Sequence, residues 1–285
     1  MDTEFFKELD KFSLLVKKRV STAYTGGRKS LRYGRGITPV GYREYRKGDD
    51  FKLVDWKAYG RTEKLYVREH EEERSLVVHI ILDASESMGY DRKFEYASQI
   101  AAGFAYIATL ENEKYVISRF SEDLDPGEPR RGRRYLFQTI DELDRTSPQG
   151  ETNLKKVSEQ FDHLIRSTSL VVMISDFLGD TDDIVSSIYR LSAHDLIVIH
   201  LMAPNEAELR LAGDVRFVDM ETHKQLITRV SERQRSEYKK KLDEHISRIK
   251  ATCNAVGADF LSFKTDKPIF DAFSELNAKA TIWRS

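Results

Sequence analysis

Cysteine is almost absent from this 285-residue chain: Cys253 stands alone. No intrachain disulfide can form, and a reducing cytoplasm is the expected compartment. The opening MDTEFFKELD lacks a basic stretch followed by an apolar run, so no secretory leader is expected. Long hydrophobic runs are missing as well. The longest, over 100–108, falls far short of the roughly 20 residues that cross a bilayer. Nor is there an excess of charge of one sign. With 46 basic and 47 acidic residues, no global field draws the chain to nucleic acid or an acidic membrane, and partners must be read from local sites. What is present suffices for a packed core: 40% of residues are hydrophobic and 11% aromatic, uninterrupted by repeats or low-complexity linkers.

Hydrophobic periodicity alternates between two patterns. Residues 76–82, 115–120, 170–175, 196–201 and 259–263 are short runs rich in Val, Ile, Leu and Phe, as in strands buried on both faces. Between them, apolar residues recur every three or four positions: Phe94, Ala97, Ala101, Phe104 and Ala108; Leu154, Val157, Phe161 and Leu164; Ile184, Ile188 and Leu191; and the long stripe from Tyr238 to Val256 that contains Cys253. This alternation predicts an α/β fold: a doubly wound, mostly parallel sheet flanked by helices. Residues 215–219 and 225–228, joined by Met220-Glu221-Thr222-His223-Lys224, predict a β-hairpin inserted before the long helix. Residues 1–73 form an N-terminal region, with Phe5, Leu9, Phe12 and Val16 on one helical face and an Arg/Tyr-rich segment over 26–60. It is expected to pack on a body of residues 74–285.

Two of the buried runs end in unexpected chemistry. The stretch IILDASESMG closes its strand with Asp83, then Ser85 and Ser87 on alternate positions; LVVMISDF closes another with Asp176; and SPQGETNL places Thr152 just before a helix. In a doubly wound sheet, ligands bind beyond the carboxyl ends of the strands where strand order reverses. Two carboxylates there would repel a phosphate, which instead wants glycines and bare helix N-termini. Oxygen donors without cysteine or imidazole suit a hard cation, and Mg²⁺ or Mn²⁺ better than a many-ligand Ca²⁺ cage. Taken singly, Asp83, Ser85 or Ser87 could equally cap the following helix.

The set Asp83-x-Ser85-x-Ser87, Thr152, Asp176 resembles the metal ion-dependent adhesion site of von Willebrand factor type A domains, in residue type, order and strand context. The preceding GRGITPVGYREYRKGDDFKLVDWKAYGRTEKLYVREHEEE resembles the signature of the DUF58 family. The resemblance implies a Rossmann-like body in which Ser85 and Ser87 are direct metal ligands. Thr152 would be a direct or water-bridged ligand, and Asp83 and Asp176 would act directly or through water. It implies an open coordination position for an acidic side chain of a protein partner, and association with a MoxR-type AAA+ ATPase as an adaptor or co-chaperone rather than as an enzyme. Glu86, Met88, Tyr90, Gln149 and Phe177 are expected to form the rim that selects the partner, Met88 and Phe177 as apolar anchors. Phe177 stands where many adhesion domains carry glycine.

The basic segment 28–47 admits two readings. Its seven basic residues interleaved with Tyr33, Tyr42 and Tyr45 are a composition that contacts single-stranded nucleic acid. Alternatively, Arg43, Arg46, Asp49, Asp50, Asp55 and Trp56 form a structural collar in which opposite charges pair and Trp56 is buried. The collar is the favoured expectation. TGGRKS lacks the glycine directly before lysine that a P-loop needs, and His70 within REHEEE has no H-E-x-x-H partner. A Mg²⁺-dependent hydrolase is the weakest reading, because no residue beyond the five metal-site positions can be assigned as acid or base.

Overall fold

The computed structural model describes Phe5, Lys7 and residues 33–46, 54–71, 77–165, 167–209, 211 and 213–279. The chain divides into two compact units, one of Met1–Tyr24 with Leu76–Arg284, the other of Thr25–Ser75 with Ser285. Phe5 is buried in the core of the larger unit; Leu9, Phe12 and Val16 lie outside the described residues.

In the smaller unit, β1 (Tyr33–Glu44) pairs antiparallel with β2 (Tyr66–Glu71), its register broken between Gly34 and Gly41. Between them runs the short α1 (Trp56–Thr62). Asp55 caps it: one carboxylate oxygen accepts the N–H groups of Lys57 and Ala58 at 2.9 and 3.1 Å, satisfying two of the helix's orphan donors. The expectation that Trp56 is buried is overturned. It is 59% exposed, edge-on to Tyr59 at 6.2 Å, because it occupies the first helical position while Val54, Asp55 and Val67 take the buried ones. Of the other collar residues, Arg46 is exposed, Asp49 and Asp50 lie outside the described residues, and so does the Arg43 side chain. Basic residues 28–32 and 47 also lie outside them.

The larger unit contains β3 (Val77–Asp83), β4 (Lys114–Phe120), the two-residue β5 (Leu124–Asp125), β6 (Leu170–Ser175), β7 (Asp195–Met202), a hairpin of β8 (Gly213–Val218) and β9 (Gln225–Val230), and β10 (Asp259–Lys264). Its helices are α2 (Lys93–Leu110), α3 (Arg133–Arg145), α4 (Leu154–Leu164), α5 (Thr181–Leu191), the one-turn α6 (Pro204–Glu208), α7 (Glu232–Val256) and α8 (Ile269–Lys279). The sheet order is β10-β7-β6-β3-β4-β5, parallel except for β5. This is the expected α/β architecture.

Alternation of side chains along each strand divides the core. Ile80, Leu82, Val172 and Ile174 face α2, α3 and α8, whereas Ile81, Val171 and Met173 face α4, α5 and α7. Cys253 belongs to the second layer, and burial pushes its thiol up to about 12, so it acts as a small hydrophobe. Consecutive strands run outward from β3 to β4 on one side and from β6 to β7 and β10 on the other. The order therefore reverses between β3 and β6, and the carboxyl ends of these two neighbours carry Asp83 and Asp176.

Candidate functional site

Beyond Asp83 the chain turns sharply. The Ser85 N–H donates to Asp83 Oδ1 at 2.9 Å, an Asx turn that aims both serines back over the strand end. A 3₁₀ segment, Glu86–Arg92, then leads into α2, with Asp91 and Arg92 at positive φ redirecting the backbone. The loop before α4 is tied to this turn by Glu86 N–H to Gly150 O at 2.9 Å and Gln149 N–H to Ala84 O at 2.8 Å. Three of the sequence-predicted oxygens now come together. The hydroxyls of Ser85 and Ser87 lie 3.1 Å apart, and Ser87 donates to Asp176 Oδ2 at 2.9 Å. Ser175 holds Asp83 by donating to Oδ2 at 2.6 Å. Burial, and next the charge of Asp176, push the Asp83 carboxyl up to about 7, against the opposing hydrogen bonds of Ser175 and Ser85.

Phe177 has φ of 49°. Its N–H donates to Ser175 Oγ at 2.9 Å and its carbonyl lies 2.9 Å from His245 Nε2, so α7 stabilises a conformation that glycine would adopt freely. Its ring is fully buried and so is Met88, each in one of the two core layers. The expectation that they serve as apolar anchors on the rim is therefore corrected: the sheet needs their bulk beneath the loops. Tyr90 and Gln149 are exposed and Glu86 is half-buried, while Leu178, Leu211 and Val218 are the exposed apolar groups near the mouth.

Three participants were not foreseen from sequence. Lys93, at the first turn of α2, is 0% exposed, and its Nζ donates to Asp176 Oδ2 at 2.7 Å and to Glu206 Oε1 at 2.6 Å. Burial works against its ammonium, but Asp176 and Glu206 outweigh that and leave its pKa above the ordinary lysine value. Glu206, in α6, also accepts the N–H of Ala203 at 2.7 Å. Glu221, in the β8–β9 turn, takes the fifth predicted residue: Thr152 donates its N–H to Oε2 at 3.0 Å and its hydroxyl to Oε1 at 2.9 Å. Ser87, Lys93, Thr152, Glu206 and Glu221 line a single open cavity of about 590 Å³. The only sequence signals were a lysine just after the serine loop and an acid within a predicted hairpin turn.

The donor set suits a hard cation: Asp176 and the hydroxyls of Ser85 and Ser87 are linked by hydrogen bonds, Asp83 is tied to the same turn, and Thr152 lines the same cavity as Ser87, with no sulfur or imidazole among them. It is not a carboxylate-rich cage, since among the described residues no three His, Cys, Asp or Glu side chains gather as one. The Lys93 ammonium already offsets part of the negative charge.

A family model described as "Protein of unknown function DUF58" matches residues 41–248. Uncharacterized protein Rv1480 of Mycobacterium tuberculosis is 24% identical over 274 residues, covering 93% of this chain and 86% of its own. Among solved structures, BatB from Bacteroides thetaiotaomicron shares 14% identity at a TM-score of 0.42, over 73% of this chain and 98% of that one. The SpRpn10 VWA domain shares 11% at a TM-score of 0.42, over 70% and 93%.

Proposed function

The chain belongs to the DUF58 family, and from that premise we propose that it is a metal-dependent protein-interaction module rather than an enzyme. The observation that supports this reading is the convergence of Asp83, Ser85, Ser87 and Asp176 at the reversal point of the sheet, beside a cavity that also exposes Thr152. Bound Mg²⁺ or Mn²⁺ would supply an oxygen-seeking charge that an incoming carboxylate can share. Ser85 and Ser87 would hold the ion as neutral donors, keeping it electrophilic. Asp83 and Asp176 would supply the charge, and Ser175 and Lys93 would orient those two carboxylates. Among the described residues at the cavity, the hydroxyls of Ser87 and Thr152 donate to carboxylates and not to an imidazole, and Ser87, Thr152 and Asp176 are themselves taken up as metal donors, which favours recognition over turnover.

The partner follows from the family resemblance: a MoxR-type AAA+ ATPase, or its client, that presents an acidic side chain. The setting is cytoplasmic, in keeping with a lone buried thiol. Among the described residues no helix is long and apolar enough to cross a membrane.

Capture from native lysate tests the reading, using wild type with Mg²⁺, wild type with EDTA, and Asp176→Asn. The ATPase should be retained in the first case only; equal retention in all three would move recognition elsewhere. Calorimetry with Mn²⁺ alone should show Asp176→Asn binding roughly ten- to a hundredfold more weakly, the range for groups that support metal ligands.

A further inference from the structure

The β8–β9 hairpin is a two-stranded ribbon of six paired positions with no third strand beside it among the described residues. Such a ribbon is marginal by itself, so its anchor points matter. Its turn is shaped for presentation. Asp219 accepts the Thr222 N–H at 2.7 Å, its own N–H donates to the Lys224 carbonyl at 2.9 Å, and His223 adopts φ of 56°. Glu221 projects from that turn with both carboxylate oxygens on Thr152, 69 residues away in sequence.

We infer that Glu221 is the chain's own occupant of the seat for a partner's carboxylate, and that the hairpin is a latch which an acidic side chain of a protein partner must displace. The inference rests on the metal-bridged recognition proposed above and specifies its regulation. Two features support it. The chemistry matches, because a side-chain carboxylate already accepts the hydroxyl of Thr152, one of the predicted site donors. The position matches too, since Glu221, Thr152 and Ser87 line one cavity. A tethered carboxylate competes at an effective concentration in the millimolar range, so a lone external carboxylate loses to it. A partner succeeds only by adding contacts of its own, and the exposed Val218, Leu226 and Ile227 of the hairpin offer apolar surface for them once the latch moves.

The test is amide hydrogen exchange on the full chain, with N-acetylglutamate as probe, in Mg²⁺ and in EDTA. Glu221→Ala should speed exchange at the Thr152 amide by roughly tenfold or more, the loss of bonds to a charged acceptor. In that variant, N-acetylglutamate with Mg²⁺ should slow the amide again at concentrations that leave wild type unaffected. Glu221→Gln, which keeps one acceptor oxygen and the turn's shape, should fall between, and Glu151→Gln should match wild type. Unchanged Thr152 exchange in folded Glu221→Ala overturns the latch, as does a probe effect that is absent from the variant or equal in wild type. Protection of the variant by the probe in EDTA as well as Mg²⁺ upholds the latch while removing the metal bridge.

Discussion

Lys93 occupies a place that ordinary lysines avoid, because an ammonium ion without water is stable only against fixed negative charge. Asp176 and Glu206 provide that charge at 2.7 and 2.6 Å. The same Asp176 oxygen also accepts from Ser87, so the ammonium and the proposed cation draw on one carboxylate. Lys93→Met should thus act oppositely on folding and on metal. Leaving two acids without their counter-charge should cost about 3–5 kcal/mol without metal, and saturating Mg²⁺ should recover part of that loss by replacing the missing charge. Thermal melts of wild type and variant, with Mg²⁺ and with EDTA, measure both. A Mg²⁺-induced shift no larger in the variant than in wild type would show that the ammonium and the ion do not share the site.

Helix α2 carries the site at its first turn and is buried along almost all its length, which fixes where Lys93 points. Its rear face packs on α8 so closely that a Cβ placed on Gly103 would lie 2.4 Å from the Phe273 ring. Two effects compete in Gly103→Ala. Helix propensity favours alanine by about 1 kcal/mol, whereas overpacking a filled core costs about 1–3 kcal/mol. Phe273 is itself buried and has little room to retreat, so net destabilisation is expected in chemical denaturation. Shortening the ring should reverse the sign: in a Phe273→Leu background Gly103→Ala should stabilise, and simple additivity of the two changes would contradict the close packing. The start of α7 is set more locally. Ser231 and Gln234 form a capping box, so Ser231→Ala should lower stability by about 1 kcal/mol in the same assay without touching the site.

Across the whole molecule, stability in acid is expected to depend on His79, which the fold keeps neutral. Burial, and then the neighbouring His194, hold His79 down to about 4, where it packs edge-on to Phe161 at 5.7 Å. An unfolded histidine takes its proton near the ordinary value of about 6.5. The unfolded state therefore binds more protons between these values, so the His79 contribution is complete above about 6.5 and is lost as pH falls toward about 4. Replacement by glutamine should flatten the decline of melting temperature across that window relative to wild type, and parallel curves would refute the assignment. The alternation of buried runs with helical stripes, the hairpin at 215–228 and the grouping of Asp83, Ser85 and Ser87 could be read directly, because they are periods and spacings between near neighbours in the chain. Burial of individual side chains was less legible: Trp56 lies open, whereas Met88 and Phe177 vanish into the core, since local pattern does not say which face a loop residue turns inward. The pairings of Lys93 with Asp176 and Glu206, across 83 and 113 residues, and of Thr152 with Glu221 were decided only by tertiary structure. The sequence by itself determined which residue types stand at the ends of the strands. The order of those strands, and the return of the hairpin over the cavity, decided which charges meet there, because Coulombic and hydrogen-bond partners are chosen by distance in space.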